Sequence, residues 1–255
     1  MKELAGKGKL CDFANAYNYY GLHRTDNGWT FREWAPNATD IYIVGPFNEW
    51  TECEPYRMKR LTDGNWEINL PERAMAHGDL FKLHVHWNGG WGARNLSSAT
   101  RPGEDDTTKI FSAQVWSPEK PYEFKVHDFV PTVDPLLIYE CHIGMAQNKE
   151  AVGSYEEFRT EVLPRIVKLG YNDIQIMAIQ EHPYYGSFGY HVSSFYAASS
   201  RFGTPEELKR LIDDAHAHGL AVIMAFFLLF SFFLFPFYPS RCRCPHSYRD
   251  SRPSA

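Results

Sequence analysis

Residues 154–179 read SYEEFRTEVLPRIVKLGYNDIQIMAI and join a helical pattern directly to an apolar run. The helical part opens with a Ser-x-x-Glu capping box at Ser154 and ends at Gly170, and both features are boundary signals of α-helices. The apolar run, 173–179, has the length and composition of a buried strand. A helix that leads straight into a buried strand is part of a βα repeat, whose strands pair in parallel.

The same pattern recurs on both sides of this unit. The run LLIYECHIG, 136–144, predicts a preceding strand. Residues 204–219 predict a second helix, since Thr204 is a capping residue, Pro205 suits the first turn and a glycine closes the run. Residues 220–224 predict a third strand. This order predicts a (β/α)8 barrel or a doubly wound sheet, and the lack of a glycine-rich phosphate loop disfavours a nucleotide-binding fold.

The first half of the chain has a different sequence pattern, in which short runs typical of β-strands are separated by turn sequences such as Pro-Asn and Asn-Gly-Gly. The runs are 30–35, 40–45, 65–70, 79–87 and 109–116. Such spacing predicts an immunoglobulin-like β-sandwich. We therefore predict four regions, which are a sandwich at 1–116, a proline-rich linker at 117–134, the start of a barrel at 135–224 and a tail at 225–255.

Composition limits the functional classes. The chain has 255 residues, 44% hydrophobic residues and a net charge of −5, which suits a soluble protein and argues against nucleic acid and anionic lipid as partners. The five cysteines include no C-x-x-C pair and the N-terminus lacks a secretory pattern, so we expect a cytoplasmic location. The 16% of aromatic residues suits stacking on sugar rings. No cofactor is predicted.

Polar and aromatic residues gather where the predicted strands end, which is where barrel enzymes place their active sites. His142 and Glu140 end the first strand, Glu181 follows the second, and residues 180–203 form a long aromatic loop. The aromatic rings suit either a sugar or packing against the barrel rim, and both interpretations stay open. Glu140 and Glu181 fit a glycosidase pair, but single carboxylates at strand ends more often orient a neighbour.

Three short histidine or cysteine pairs have spacings that metal sites also use. They are His84 with His86, His216 with His218, and Cys242 with Cys244 and the nearby His246. The first pair is expected to pack, the second lies in the last turn of a helix where a partly charged imidazole suits the dipole, and the third lacks a second half-site. No metal site is therefore predicted.

Three stretches of the chain carry a specific resemblance, which are YYGLHRTDNGWTFREWAPNATDIYIVGPFNEW at 19–50, residues 139–147 and residues 162–224. The first resembles the N-terminal glucan-binding sandwich of the 1,4-α-glucan branching enzymes of the α-amylase superfamily, and the other two resemble the start of their catalytic barrel. This family cuts an α-1,4 link in glycogen or starch and transfers the released segment to a 6-hydroxyl. The resemblance implies an α-1,4-glucan polysaccharide as partner, with neither nucleic acid nor membrane.

The resemblance also implies substrate-binding residues. Tyr190 resembles the tyrosine that stacks under the sugar at the cleavage subsite, and the other expected contacts are Tyr184, Tyr185, Phe188, His142, Trp50 and Trp66. The two tryptophans, beside turns, are equally open to a structural role, and Trp34, inside a strand, is expected to be structural. The family has Gly-Asp-Phe-Asn-Gly-Trp where this chain has Gly-Pro-Phe-Asn-Glu-Trp at 45–50, and the turn is expected to survive.

The resemblance ends after Met224, where the family continues into Asp-(apolar)2-His-Ser-His. Ala225 stands at the aspartate position, with Leu228 and Phe230 at the histidine positions. The nucleophilic Asp and the acid/base Glu lie further along in the family and are absent from this chain, so no catalytic residue is assigned. We expect a truncated form without branching activity.

The tail, 225–255, is rich in Phe, Leu, Ser and Pro and admits two interpretations. It suits a pyrimidine-rich stretch translated from an unspliced intron or a frameshift. Its first part, together with residues 220–224, also forms an uncharged run, 220–238, which has the length of a membrane span and is followed by arginines. The alternatives to an enzyme are thus a non-catalytic glucan-binding protein and a membrane-anchored version of it.

Overall fold

Two antiparallel sheets make up the N-terminal part of the computed structural model, which describes residues 14–96, 98–104, 110–132, 135–228 and 231–235. One sheet has the strand order β1-β2-β5-β4, and the other has the order β3-β6-β9-β8 with β7 also paired to β6. The strands are β1 (Gly21–Thr25), β2 (Gly28–Trp34), β3 (Ala38–Val44), β4 (Lys59–Arg60), β5 (Asn65–Leu70), β6 (Leu80–Trp87), β7 (Gly90–Arg94), β8 (Pro102–Glu104) and β9 (Phe111–Gln114).

The two sheets pack face to face, because side chains alternate in direction along the strands and the core-forming apolar ones point to the inner side. On β2, Trp29 and Phe31 point into the core, and Ile68 of β5 lies opposite Phe31 in the same sheet. Phe31 meets Phe81 of the other sheet edge to face, with ring centroids 6.2 Å apart. Because both inner faces bury their apolar residues against each other, the predicted β-sandwich is confirmed.

Three parallel strands follow in the C-terminal part. They are β10 (Ile138–His142), β11 (Asp173–Met177) and β14 (Ala221–Leu228), with β15 (Ser231–Phe235) antiparallel to β14 at the edge. A separate two-stranded ribbon pairs β12 (Gln180–Glu181) with β13 (Ser194–Ala198). Short 3-10 turns complete the structure at Ala16–Asn18, Pro46–Asn48, Glu54–Tyr56, Thr62–Gly64, Glu72–Ala74, Ile143–Met145, Tyr185–Ser187 and Ser200–Phe202.

Helices cover one face of this parallel sheet, as expected for the start of a barrel. The first is α1 (Tyr155–Glu157), a π-helical turn (Phe158–Val162) and α2 (Leu163–Lys168), and the next is α3 (Pro205–Ala217). Both predicted capping boxes are present, at Ser154 and at Thr204. The π turn directly precedes Pro164, which has no N–H for the carbonyl four residues earlier and crowds that carbonyl.

The third parallel strand is longer than the predicted 220–224. It runs to Leu228 and forms a hairpin with β15 in which Leu228 pairs with Ser231. The strand therefore crosses the predicted boundary of the tail at residue 224, and the uncharged run 220–238 contains two strands. No helix in the described ranges is long and apolar enough to cross a membrane. Residues 236–255, with the Cys242, Cys244 and His246 group, lie outside the described residues.

The predicted linker packs along α3. Its described residues contain no helix or strand, but Asp213 accepts hydrogen bonds from the Tyr122 hydroxyl at 2.6 Å and from the backbone N–H groups of Lys125 and Val126 at 2.9 Å. We call residues 117–132 the connector. Its Phe129 stacks on the ring of His216 at 4.2 Å, with an angle of 7° between the planes.

The helix-end histidines behave differently from each other. Burial lowers the pKa of His216, although the nearby Asp213 acts in the opposite direction, and this reduces the charged fraction that would interact with the helix dipole. The neighbouring His218 places its Nδ1 2.7 Å from the carbonyl of Asp214, where it donates to the last turn of the helix.

Candidate functional site

Two histidines, a glutamate and an exposed tryptophan form one surface on the outer face of the second sheet. His84 and His86 point outward from β6, while Leu83 and Val85 point inward. Glu52 accepts from Nδ1 of His84 and from Nε2 of His86, each at 3.0 Å. We call this group, with Trp91, the Trp91 surface.

Trp91 is held in place by both imidazoles. Its ring centroid lies 5.0 Å from that of His84 and 6.0 Å from that of His86, and the second pair is nearly parallel at 23°. Trp91 remains 57% exposed, so one face of a fixed indole is open to solvent. No group of three or more His, Cys, Asp or Glu side chains is arranged to hold a metal ion anywhere in the part of the chain that the structure describes.

Trp50 lies in a tight turn, two residues before Glu52 in the chain. Asn48 ties the turn together, because its Oδ1 accepts from the Gly45 N–H and its Nδ2 donates to the Ile43 carbonyl, both at 2.9 Å. Pro46 occupies the first position of the turn, where its missing N–H is not needed. Glu49 and Trp50 both lie in the left-handed region, with φ of 54° and 58°. The turn thus presents Trp50 at the cost of backbone strain.

Trp34 and Trp66 lie in opposite environments, so that Trp34, which was expected to be structural, is exposed, and Trp66, for which both roles were open, is buried. Trp66 is only 3% exposed, and its indole N–H donates to the Ala35 carbonyl at 3.0 Å, so no ring face is open to a sugar. Trp34 is 58% exposed, and its indole N–H donates to the Asp63 carbonyl at 3.0 Å. The reason is alternation, since even-numbered residues face outward on β2 and inward on β5. The sheet face decides the burial, rather than membership in a strand.

Trp34 belongs to a second aromatic surface, on the outer face of the first sheet. Asn65 lies opposite Trp34 and accepts from the Tyr20 hydroxyl at 2.7 Å. The guanidinium of Arg32 lies 4.6 Å from the ring centroid of Tyr19. We call these five residues the Trp34 surface.

The aromatic loop, residues 180–203, carries the barrel candidates. The rings of Tyr184, Phe188 and Tyr190 are exposed, whereas Tyr185 is half-buried against His182 with nearly parallel rings 6.5 Å apart. Phe188 has a φ of 51°, a left-handed value that turns the chain at this point. Exposed rings on a tightly turned loop suit a flat ligand.

His142, the remaining barrel candidate, ends β10 beneath the loop. It is buried, its ring lies 5.5 Å from that of Phe202 and 6.2 Å from that of Tyr185, and its ring nitrogens have no partner among the described residues. Burial and the neighbouring His182 lower the pKa of His142, which favours the neutral ring. The side chain therefore supports the aromatic floor of the loop and is covered by Tyr185.

Glu181 and Glu140, the two carboxylates at the start of the barrel, have different surroundings and different partners. Glu181 is fully buried, and its oxygens accept from the backbone N–H of His182 at 3.1 Å and of Ser200 at 2.8 Å. Glu140 is exposed and accepts from the Gln175 side chain at 2.9 Å. Glu181 thus joins the two ends of the aromatic loop, which is the orienting role rather than the glycosidase one.

Sequence reasoning missed Trp91 and Tyr19. The signal for Trp91 was the Asn-Gly-Gly turn after β6, which returns the chain along the His84 and His86 strand and pairs Trp91 with His86. The signal for Tyr19 was weaker, because the residues before β1 show no alternation.

Two family models match the chain. Residues 19–101 match "Carbohydrate-binding module 48 (Isoamylase N-terminal domain)", and residues 151–228 match "Alpha amylase, catalytic domain". The fold agrees with solved structures: a putative α-amylase from Salmonella typhimurium aligns with a TM-score of 0.65 at 20% identity, covering 80% of this chain and 32% of that one. A pullulanase from Bacillus acidopullulyticus aligns with a TM-score of 0.62 at 16% identity, covering 80% of this chain and 29% of that one. The chain thus combines a carbohydrate-binding module with the start of an α-amylase-type domain.

Within this class the chain resembles the 1,4-α-glucan branching enzymes, and the resemblance inferred from the sequence is confirmed. It is 44% identical to the enzyme of Yarrowia lipolytica over 230 residues, which are 86% of this chain and 33% of that protein. It is 40% identical to the enzyme of Dictyostelium discoideum over 224 residues, with the same coverages of 86% and 33%. It is 44% identical to the chloroplastic/amyloplastic enzyme 2-2 of Arabidopsis thaliana over 229 residues, 86% of this chain and 28% of that protein. The chain thus spans about a third of the length of these curated relatives.

Proposed function

We propose that this chain binds α-1,4-glucan through its sandwich and its aromatic loop. The observation that carries the proposal is that exposed tryptophans on both outer faces of the sandwich are fixed by their neighbours. Trp91 stacks on the imidazole of His86 and contacts that of His84 at a tilt, and Trp34 is held by a hydrogen bond of its indole N–H. A fixed indole loses little conformational freedom when a sugar ring stacks on it, which favours binding.

Polar groups beside the rings support the same conclusion. Glu52, His84 and His86 surround one indole, and Asn65 lies beside the other. Carboxylate, imidazole and amide groups bond the hydroxyls at the edge of a sugar while its apolar face stacks. The names of the relatives, which specify a 1,4-α-glucan, support this linkage as the one recognised.

The aromatic loop extends the proposed binding path to the barrel. Tyr184, Phe188 and Tyr190 expose their rings on one loop at the strand ends, where barrel enzymes bind their substrates. A glucan chain of glycogen or starch is long enough to bind several such surfaces at once. The overall affinity then exceeds that of each single contact, because the second contact forms within one complex.

We also propose that this chain does not form branches by itself. Retaining transfer needs two carboxylates about 5–5.5 Å apart on one sugar. Among the described barrel residues, Glu181 is committed to two backbone N–H groups, and alanine stands at position 225 where the family has an aspartate.

The unpaired thiols of Cys53 and Cys141 support a reducing, cytoplasmic location for the binding function.

Calorimetric titration with maltoheptaose tests the binding proposal. We expect heat of binding with maltoheptaose and much less with the β-1,4-linked cellohexaose. The double variant Trp34→Ala/Trp91→Ala should weaken the affinity by about tenfold or more, because exposed aromatic anchors dominate such interfaces. The two single variants assign the loss to one surface or the other.

Two controls make the titration specific. Leu169→Ala removes an exposed apolar side chain at the end of α2 and should leave the affinity unchanged. Trp91→Phe keeps an aromatic ring and should retain more affinity than Trp91→Ala. The proposal fails if maltoheptaose gives no heat, or if the double variant binds as tightly as the unaltered chain.

A further inference from the structure

One arginine of the sandwich reaches the end of the aromatic loop. Arg101 donates through Nη1 to the carbonyl of Gly203 at 2.7 Å, and through Nε to the side chain of Gln114 at 3.3 Å. Its guanidinium also lies 4.7 Å from the ring centroid of Trp116. The same side chain is thus fixed within the sandwich by two partners and bonded to the barrel by a third.

Trp116 strengthens this junction from the sandwich side. Its indole N–H donates to Oε2 of Glu206, in the first turn of α3, at 2.8 Å. Arg101 and Trp116 therefore contact neighbouring points of the barrel, and the ring under the guanidinium prevents it from turning away. Stacked and bonded arginines of this kind are stiff, since the planar group satisfies several partners in one orientation.

Gly203 is the point at which the loop becomes a helix. It has a φ of 134°, and a Cβ atom there would clash with the carboxylate of Glu207. That carboxylate accepts from the N–H of Thr204 at 2.7 Å in the capping box. The carbonyl of Gly203 is thus held at one position relative to α3, and a bond to it fixes the end of the loop.

The other anchors of the loop lie within the barrel. Glu181 binds the Ser200 N–H at 2.8 Å, and the buried Tyr155 hydroxyl donates to the Ser199 carbonyl at 2.9 Å. The acidic groups that face Arg101 are Glu181, Glu206 and Glu207, which oppose the lowering of the arginine pKa by burial. Arg101 is therefore the cation that complements this acidic end of the loop.

We propose that Arg101 is a positioning residue for the aromatic loop, through which the sandwich sets the orientation of the rings that the barrel offers to a glucan chain. Arg101 touches no sugar in this scheme. It acts on Tyr184, Phe188 and Tyr190 by holding Gly203, and so couples the two binding regions of the chain. The part of the inference that concerns sugar affinity rests on the proposed function.

Hydrogen exchange of the full chain tests the positioning role without any ligand. In Arg101→Gln and Arg101→Lys, amides of residues 182–203 should exchange about tenfold faster, because a hydrogen bond from a charged donor is lost. The lysine variant keeps the positive charge but lacks the planar guanidinium with its several donors. Faster exchange in both variants therefore assigns the effect to the geometry of the guanidinium and not to its charge. Amides of β2, β3 and β6 should be unchanged.

Arg32→Gln is the matched control. Arg32 also lies over an aromatic ring, that of Tyr19, and also bonds a side-chain oxygen, that of Glu67, but does so within the sandwich. Its substitution should leave the exchange of the aromatic loop unchanged. The proposal is overturned if the amides of the aromatic loop exchange at the same rate in Arg101→Gln as in the unaltered chain. It is also overturned if exchange becomes faster both in the loop and in the sandwich strands β2, β3 and β6.

A double-mutant cycle in maltoheptaose affinity tests the route through the loop. If Arg101 acts on the rings, Arg101→Gln should weaken binding in the unaltered chain but have little further effect once Tyr190→Ala has removed a ring. Additive effects overturn this route. If the unaltered chain binds no maltoheptaose, the proposed function fails on its own, while the exchange experiment still decides whether Arg101 positions the loop.

Discussion

At the scale of single residues, two successive residues of the turn before Glu52 carry backbone strain. Glu49 and Trp50 adopt left-handed φ values of 54° and 58°, a conformation that costs a residue with a Cβ about 1–2 kcal/mol. Asn48 holds the turn closed through two hydrogen bonds. The strain is therefore imposed by the turn.

Replacing Glu49 with glycine should relieve part of this strain. We expect Glu49→Gly to raise the free energy of unfolding by about 0.5–1 kcal/mol, because glycine adopts positive φ without a steric penalty while losing more entropy on folding. Urea denaturation at neutral pH measures the change. Glu49→Ala keeps the Cβ and serves as the control, which should gain nothing. A lower stability of the glycine variant would contradict the assignment of strain to this position.

Residue environments were the part of the site that sequence alone predicted least well. Trp34 and Trp66 both lie in strands, and only the register that pairs Trp34 with Asn65 reveals that one faces solvent and the other the core. Trp91 depends on a hairpin that aligns it with His86. Such contacts are set by pairing between strands, which a single sequence does not contain.

At the scale of elements, the helices and the longer strands of the sandwich could be predicted because their signals are local. Capping boxes fix the starts of α1 and α3, and alternation or apolar runs reveal β2, β3, β5 and β6. The short strands β1, β4, β7 and β8 carry no such pattern. Each forms because it pairs with a longer neighbouring strand. The extension of β14 beyond residue 224 likewise depends on its partner β15.

The junction between the connector and α3 depends on one buried carboxylate. Burial acts to raise the pKa of Asp213, but the hydrogen bonds from Tyr122 and from the N–H groups of Lys125 and Val126 outweigh it and hold the pKa below its usual value. The ionised form is thus favoured in the folded state. Its contribution to stability is present above the unfolded pKa of about 3.9 and is lost as the pH falls through the lower folded value.

Asp213→Asn tests this linkage. We expect a loss of about 1–3 kcal/mol in unfolding free energy at pH 7, since the amide keeps the shape but cannot accept all three bonds as an anion does. The difference from the unaltered chain should shrink as the pH falls below about 4. Urea denaturation across this range measures both effects.

The neighbouring Asp214 provides the control for this variant. It pairs with Arg159 at 2.6 Å on the partly exposed side of the same helix. Asp214→Asn should cost about 0–1 kcal/mol, as surface ion pairs do. Equal losses in the two variants, or a difference that does not change with pH, would show that Asp213 is not the anchor of the connector.

At the scale of the whole molecule, the sandwich and the barrel start are fastened at two places. Arg101 joins the sandwich to the end of the aromatic loop and Trp116 joins it to the first turn of α3, while the connector lies along α3 through Asp213. Exposed aromatic rings lie on both units, which under the proposed function gives a glucan chain several points of contact on one molecule. We propose for the whole molecule that it binds α-1,4-glucan at several such points and forms no branches by itself.

Native electrophoresis of the purified chain in a gel that contains amylose tests this central claim most directly. Binding retards the band relative to an amylose-free gel, and branching changes the iodine stain of the amylose around the band from blue to red-brown. We predict a retarded band within an evenly blue gel. Migration equal to that in the amylose-free gel would contradict the binding function, and a red-brown zone at the band would contradict the absence of branching activity.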